Sequence, residues 1–242
     1  MTVSPALVIF DLDGTLVDPA GSITGGIAHA LEVHGLPVPD GATLDSMVGP
    51  PLLESLGRLA DVPAEVMPAV VHSYRQRYIS QGMAASRPYP GIPELLDRLR
   101  AAGYHLAVAT QKPEGLAKKL LGIHDLDRRF HSIHGAPDDE TLPPLTDGKA
   151  SIVAAALTVN HAASSRAVMI GDRRHDAAGA AANGIPCIGV RWGFAEPGEL
   201  EALDLAARVA DTREAGDAVE RLLPLDGHAQ AAAGSGAAEA RP

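Results

Sequence analysis

The strongest constraint on the fold is a regular alternation of short apolar runs with stretches of helical periodicity. The apolar runs are Leu7–Phe10, Leu106–Ala109, Ile133 with its neighbours, Ala167–Ile170 and Cys187–Val190. The helical patterns around them are Gly91–Ala102, Pro113–Leu121, Lys149–Val159 and His175–Asn183. Buried strands that alternate with helices form βαβ units. The sequence therefore predicts an α/β fold: a Rossmann-like, doubly wound and mostly parallel sheet with helices on both faces.

The segment between the first and second apolar runs breaks this alternation. Its helical patterns cover Ile23–His34, Leu44–Leu59 and Ala64–Gln81, with no convincing strand among them. We therefore predict an inserted α-helical cap domain over residues 19–87, and a core domain made of residues 1–18 and 88–226. Residues 227–242 are mostly Ala and Gly without apolar periodicity, so we expect a disordered tail.

Composition excludes several classes of partner. The formal net charge is −10, and an acidic field repels nucleic acids and anionic membrane surfaces. Cys187 is the only cysteine, which rules out an internal disulfide and favours a reducing compartment. No apolar run reaches membrane-spanning length, and the N-terminal residues do not resemble a signal peptide. We expect a cytoplasmic protein, monomeric or homodimeric, with neither a nucleic acid nor a membrane as partner.

Polar residues follow the apolar runs, where ligands bind in open α/β sheets. The segments are Asp11-Leu12-Asp13-Gly14-Thr15, Thr110-Gln111-Lys112 and Gly171-Asp172-Arg173-Arg174-His175-Asp176, and Lys149 opens the helix before the fourth run. The sequence thus predicts that acids, a hydroxyl and a lysine converge in one crevice. Taken alone, the first pentapeptide also fits a turn whose acids cap the next helix. A calcium loop is disfavoured, because the remaining ligands do not follow at the required spacing.

Together these segments resemble the motifs of the haloacid dehalogenase superfamily, and among its members the phosphatases with a helical cap after the first motif. The resemblance covers roughly residues 5–210 and is closest to phosphoglycolate phosphatase-like and 5′-nucleotidase-like members. It implies a Mg²⁺-dependent hydrolase that cleaves a small phosphorylated metabolite through an aspartyl-phosphate. Phosphoglycolate is the first substrate expected and a nucleoside 5′-monophosphate the second. A sugar phosphomutase and a non-catalytic binding protein are the alternatives.

The resemblance also implies a role for each matching residue. Asp11 would be the nucleophile and Asp13 the general acid and base; dehalogenases of the superfamily lack this second acid, so Asp13 favours phosphatase chemistry. Thr110 would bind a phosphate oxygen, and Lys149 would pair with both nucleophile and phosphate. The implied Mg²⁺ ligands are Asp11, the backbone carbonyl of Asp13, Asp172 and, directly or through another ligand, Asp176. For Asp176 the alternative is an acid that stabilises a helix N-terminus.

Two further segments are expected to face the substrate. Backbone N–H groups near Gln111 would join Thr110 at the phosphate, although related proteins often have Asn or Ser at this position. In the cap, the rigid turn at Gly49 and Pro50 would present backbone N–H groups to the substrate, or would simply start the next helix. Asp138, Asp139 and Glu140, followed by Pro143-Pro144, predict a mobile acidic loop.

Overall fold

The computed structural model describes residues 4–138 and 148–225. The strands are β1 (Leu7–Phe10), β2 (Val17–Asp18), β3 (Arg87–Pro88), β4 (His105–Pro113), β5 (Ser132–Ala136), β6 (Ala167–Gly171), β7 (Cys187–Val190) and β8 (Ala207–Val209). The helices are α1 (Ser22–Val33), α2 (Gly41–Ser46), α3 (Leu52–Leu59), α4 (Met67–Arg77), α5 (Met83–Ala85), α6 (Ile92–Ala102), α7 (Glu114–Ile123), α8 (Lys149–Val159), α9 (Arg174–Ala182) and α10 (Thr212–Leu222).

Six strands form one parallel sheet in the order β5-β4-β1-β6-β7-β8. β1 lies near the middle, and Phe10 pairs with Val108 of β4 on one side and Ile170 of β6 on the other. The residues that follow these three strands therefore leave the same edge of the sheet side by side. The predicted α/β fold with a mostly parallel sheet is confirmed.

Helices cover both faces of this sheet, which explains why its central strands are apolar throughout. In β1, Val8 and Phe10 belong to a core that includes residues of α6, α7 and α10. Leu7 and Ile9 point to the opposite face, where α8 and α9 supply the partners. The four side chains of β1 are fully buried, as expected for a strand between two helical layers.

The helical insertion lies between β2 and β3, which pair as a short antiparallel ribbon. The helical pattern over Leu44–Leu59 forms two separate helices, α2 and α3, and the turn expected at Gly49 and Pro50 lies between them. Gly49 adopts a left-handed backbone with φ of 103°, and Pro50 and Pro51 cannot donate the hydrogen bonds of a continuous helix. The predicted helix over Ala64–Gln81 begins later, at Met67, and extends further, because α4 continues through a π-helical turn over Tyr78–Gly82 into α5.

Asp139, Glu140, Pro143-Pro144 and the tail 227–242 lie outside the described residues. Within the described ranges, none of the helices has the length and apolar character needed to cross a membrane.

Candidate active site

The loop after β1 carries both acids of the first motif to the edge of the sheet. The Asp11 N–H donates to the Ile170 carbonyl oxygen at 2.9 Å, which ties the loop to β6. Leu12 turns into the core and is fully buried. Gly14 has a φ of 87°, and a Cβ atom there would overlap the carboxylate of Asp172. Glycine is thus required, both for the turn and for the approach of the β6 loop.

Asp172 is held from two sides. Its Oδ1 accepts the Thr15 hydroxyl at 3.1 Å, and its Oδ2 accepts the backbone N–H of Phe194 at 2.7 Å. Burial raises the pKa of Asp172 well above its usual range, and the nearby carboxylates of Asp176 and Asp11 raise it further. These two hydrogen bonds fix the direction of the carboxylate.

Lys149 reaches this cluster from the first residue of α8. Its Nζ lies 2.5 Å from Asp11 Oδ1 and 2.7 Å from Asp176 Oδ1. Burial alone would lower the pKa of Lys149, but Asp11 and Asp176 raise it above its ordinary value, so the ammonium stays charged. Asp176 Oδ2 also accepts the Arg173 N–H at 3.0 Å at the start of α9. Asp176 therefore both caps a helix and holds Lys149.

Asp11, Asp172 and Asp176 form a buried acidic cluster with one oxygen atom from each within 4.8 Å of the others. Burial raises the pKa of Asp11 to about 7; Lys149 opposes this rise, while Asp176 and Asp13 add to it. Carboxylate oxygens are the ligands that Mg²⁺ and similar hard cations prefer. The donor set fits a divalent cation, which would relieve the mutual repulsion of these acids.

Asp13 has a buried partner that the sequence analysis did not assign. The Nζ of Lys112 lies 2.6 Å from Asp13 Oδ2, and the two side chains are only 5% and 9% exposed. Burial alone would lower the pKa of Lys112, but the contact with Asp13 raises it. Thr110 is buried beside them, and its hydroxyl accepts the Lys112 N–H at 3.2 Å.

Three of the predicted substrate-binding residues, Gly49, Pro50 and Gln111, line one small cleft together with Asp13, whereas Thr110 and Lys149 are not among its lining residues. Gly49 and Pro50 of the insertion face Gln111 of the core across it, and the remaining lining residues are Ile23, Met47, Leu52, Tyr74, Arg75, Lys112 and Pro113. Arg173 joins the two sides nearby, because its Nη1 donates to the Val48 carbonyl oxygen at 2.8 Å. The cleft thus lies between the helical insertion and the sheet edge.

A sequence model described as haloacid dehalogenase-like hydrolase matches residues 8–190, which is most of the chain. The chain belongs to this family.

Three named relatives are similar to this chain over most of its length, and two of them are named as phosphatases or nucleotidases. A 5′-nucleotidase of Pseudomonas aeruginosa is 38% identical over 81% of this chain and 86% of its own length. A phosphoglycolate phosphatase of Caulobacter vibrioides is 37% identical over 83% of this chain and 85% of its own. The tyrosine-protein kinase PtkA of Mycobacterium tuberculosis is 40% identical over 88% of this chain and 70% of its own.

Solved structures agree with the relatives. A predicted phosphatase from Clostridium acetobutylicum aligns with a TM-score of 0.82 and 33% identity, covering 90% of this chain and 99% of that one. The structure of Mycobacterium tuberculosis PtkA aligns with a TM-score of 0.75 and 36% identity, covering 92% and 99%. The prediction of a hydrolase of the phosphatase type in the haloacid dehalogenase family is confirmed.

In this haloacid dehalogenase-like hydrolase the motif residues converge as expected, and the segment after β7 also contributes. Trp192 donates from its indole nitrogen to the Thr15 carbonyl oxygen at 3.1 Å, and Phe194 binds Asp172 through its backbone. A Cβ atom at Gly193 would overlap Asp172. This segment was not predicted, because the Phe194 backbone donor leaves no side-chain motif; Trp192 and the glycine that follows it are the signals that the sequence offers.

Proposed function

We propose that the chain hydrolyses small phosphomonoesters through a phosphoryl group carried on Asp11. The observation that supports this most directly is the buried Asp11 carboxylate, paired with Lys149 and placed two residues before Asp13. A nucleophile, a charged lysine and an acid–base group thereby meet at one edge of the sheet. Such an arrangement suits phosphoryl transfer, which depends mainly on positioning and on charge stabilisation.

In the first half-reaction, a carboxylate oxygen of Asp11 attacks phosphorus. The bond from phosphorus to the ester oxygen breaks, and that oxygen takes a proton from the carboxylic acid of Asp13. Asp13 is left as a carboxylate, and an alcohol departs. Lys149 and Thr110 would hold the phosphoryl oxygens while negative charge develops on them.

In the second half-reaction, water attacks phosphorus of the aspartyl-phosphate. Asp13 now accepts the proton from this water, and the bond from phosphorus to Asp11 breaks. Inorganic phosphate leaves, Asp11 returns to a carboxylate and Asp13 to an acid. The two-step route replaces one difficult displacement by two easier ones.

We propose Mg²⁺ as the cofactor, held by Asp11, Asp172 and the backbone carbonyl of Asp13, with Asp176 as a further or indirect ligand. When bound, the cation would neutralise the repulsion between the substrate phosphate and these carboxylates. The charge balance supports it: Lys112 pairs with Asp13, and Lys149 pairs with Asp11 and Asp176, so these three buried acids together with Asp172 carry more charge than the two lysines neutralise.

We propose that residues 19–87 act as a cap domain over a core of residues 1–18 and 88–226, and that the cleft at Gly49, Pro50 and Gln111 receives the leaving group. Closure there would exclude water until the aspartyl-phosphate forms. Phosphoglycolate is the first candidate substrate and a nucleoside 5′-monophosphate the second, since relatives named for both activities match most of the chain. The cytoplasm is the proposed location.

The similarity to PtkA favours one second candidate: transfer of a phosphoryl group to a tyrosine hydroxyl. Both activities can be tested in the same preparation. Purified protein is incubated with Mg²⁺ and a panel of phosphorylated metabolites, and release of inorganic phosphate is measured. A parallel sample receives ATP and is probed for phosphotyrosine.

If the chain hydrolyses phosphomonoesters as proposed, phosphate is released by the wild-type protein but not by Asp11→Asn or in excess chelator. Full activity in either condition would overturn the proposal. Phosphotyrosine without hydrolysis of any ester would establish the second candidate instead, and an isomerised product without phosphate release would establish a mutase.

A further inference from the structure

Lys112 occupies a position at the site that none of the proposed roles explains. Its ammonium lies between the Asp13 carboxylate, at 2.6 Å, and the face of the Tyr78 ring, whose centroid is 4.7 Å away. A buried lysine is costly unless a charged partner compensates for the lost hydration. Asp13 is that charged partner, so the buried ammonium of Lys112 and the Asp13 carboxylate depend on each other.

Both the core and the helical insertion contribute to the placement of Lys112. On the core side, the pairing of β4 with β5 is irregular between Ala109 and Pro113, and there the Lys112 N–H bonds to the Thr110 hydroxyl. On the insertion side, Tyr78 begins the π-helical turn and stacks on Tyr74 with ring centroids 5.8 Å apart. π-Helical turns occur frequently at functional sites. Lys112 thus contacts the acid–base residue and the helical insertion at once.

The contact makes the two oxygens of Asp13 unequal. Oδ2 is bound by Lys112, whereas Oδ1 is buried and accepts no hydrogen bond from any residue that the structure describes. Asp13 also lines the cleft proposed to receive the leaving group. Oδ1 therefore has a lone pair that no described residue uses, beside the cleft where a substrate atom would approach it.

We propose that Lys112 is a positioning residue for Asp13. In the carboxylic acid form of Asp13, Lys112 holds Oδ2 and the proton lies on Oδ1, which is thereby directed toward the ester oxygen. The proton passes from Oδ1 to that oxygen as its bond to phosphorus breaks, and Asp13 is left as the carboxylate that pairs with the Lys112 ammonium. Lys112 itself touches no reacting atom. The inference rests on the proposed function, in which Asp13 is the acid in the first half-reaction.

A leaving-group comparison separates this role from a general structural one. Benzyl phosphate releases an alkoxide that needs the proton, whereas p-nitrophenyl phosphate releases a stable phenolate of similar size that hardly needs it. The variants are Lys112→Met, which keeps the length of the side chain without its charge, and Lys118→Met, a matched control at an exposed lysine of α7. The rate of the first turnover of the whole chain with Mg²⁺ is measured by rapid quench. The later hydrolysis of the phosphoenzyme then does not affect the measured rate.

We expect Lys112→Met to lower the first-turnover rate on benzyl phosphate by about 10- to 100-fold, which is less than the roughly 100- to 10,000-fold of full general acid catalysis because Asp13 itself remains. The rate on p-nitrophenyl phosphate should stay within about threefold of wild type, and KM should change little for either ester. Asp13→Asn should show the same selectivity. The double variant should lose little more than Asp13→Asn alone, because residues that act as a unit are not additive.

Equal losses on both esters would overturn the positioning role and leave only a structural one. A higher KM with an unchanged first-turnover rate would overturn it too, and would make Lys112 a substrate-binding residue. Absence of turnover in the wild-type protein would overturn the proposed function itself. If circular dichroism shows that Lys112→Met is unfolded, Lys112→Arg replaces it. Arginine keeps the charge and should preserve the benzyl rate better than Lys112→Gln does; equal rates in those two variants would contradict the inference.

Discussion

Trp192 donates a hydrogen bond from its indole nitrogen to the backbone carbonyl of Thr15, at 3.1 Å. The hydroxyl of the same Thr15 donates to Asp172, one of the proposed cation ligands. Trp192 is the only tryptophan in the chain. Two hydrogen bonds thus link Trp192 to Asp172 through Thr15, so the fluorescence of Trp192 can report a change in the acidic cluster.

We expect Mg²⁺ to change the emission of Trp192, and Thr15→Val to weaken Mg²⁺ binding by about 10- to 100-fold. Removing a group that orients a metal ligand has this typical effect. The measurement is a fluorescence titration with MgCl₂. Thr158→Val is the matched control, since that hydroxyl makes an exposed hydrogen bond to the Ala154 carbonyl within its own helix. An unchanged affinity in Thr15→Val would contradict the proposed role of Asp172.

Gly179 allows α9 to approach Lys149 closely. A Cβ atom there would lie 2.7 Å from Lys149 Cγ. Gly179→Ala should displace the lysine and lower kcat by up to about 100-fold, as small displacements of catalytic groups do, and should destabilise the fold by about 1–3 kcal/mol. Gly122→Ala, in open space on α7, should be neutral or slightly stabilising. Steady-state kinetics and urea unfolding check both; equal behaviour of the two variants would refute the explanation.

Arg173 joins the segment 172–176, which follows β6, to the loop between α2 and α3 of the insertion. It donates to the Val48 carbonyl and to Glu199, and the Arg173 and Glu199 side chains are 2% and 7% exposed. Arg173→Met should lower the free energy of unfolding by about 3 kcal/mol, because it breaks a buried ion pair. It should also raise KM, since the Val48 carbonyl loses its hold. Arg191→Met, in an exposed pair, should change stability by less than about 1 kcal/mol. If Arg173→Met lowers the free energy of unfolding no more than Arg191→Met does, Arg173 does not hold the two segments together.

His131 makes stability depend on pH. Its Nδ1 accepts the Leu106 N–H at 3.1 Å, and its ring stacks on His105. Burial lowers the pKa of His131 below its ordinary value, and His105 and Arg100 lower it further. The unfolded chain then binds more protons as pH falls, so this contribution is complete above about pH 6.5 and is lost below it.

His131→Asn keeps an acceptor oxygen and removes the titration. We expect its free energy of unfolding to fall less than that of wild type between neutral and mildly acidic pH, as measured by urea denaturation. An identical pH dependence in the two proteins would show that His131 does not contribute.

Periodicity and strand-end motifs predicted the sheet and most of the candidate site. Leu7–Phe10, Cys187–Val190 and Lys149–Val159 have the predicted bounds, because apolar strands between helical layers and helices bounded by glycine leave clear patterns. β2, β3 and β8 were not predicted, since strands of two or three residues carry no periodicity.

The parts that the sequence did not reveal are contacts between distant segments. Lys112 looks like an ordinary surface lysine until the fold buries it against Asp13 and Tyr78. Phe194 acts through its backbone N–H, which any residue could provide. The turn between α2 and α3, in contrast, was readable from Gly49 and the two prolines that follow, because glycine and proline interrupt a helix whatever the apolar spacing around them.

The most direct test of the central claim is to capture the phosphoryl group on Asp11. The protein is mixed with Mg²⁺ and a phosphomonoester that it hydrolyses, quenched in acid within the first turnover, and analysed by peptide mass spectrometry. We predict one added phosphoryl group on the peptide that contains Asp11, sensitive to hydroxylamine as an acyl phosphate is, and absent from Asp11→Asn. A phosphoryl group on another residue, or turnover in Asp11→Asn at the wild-type rate, would contradict the account.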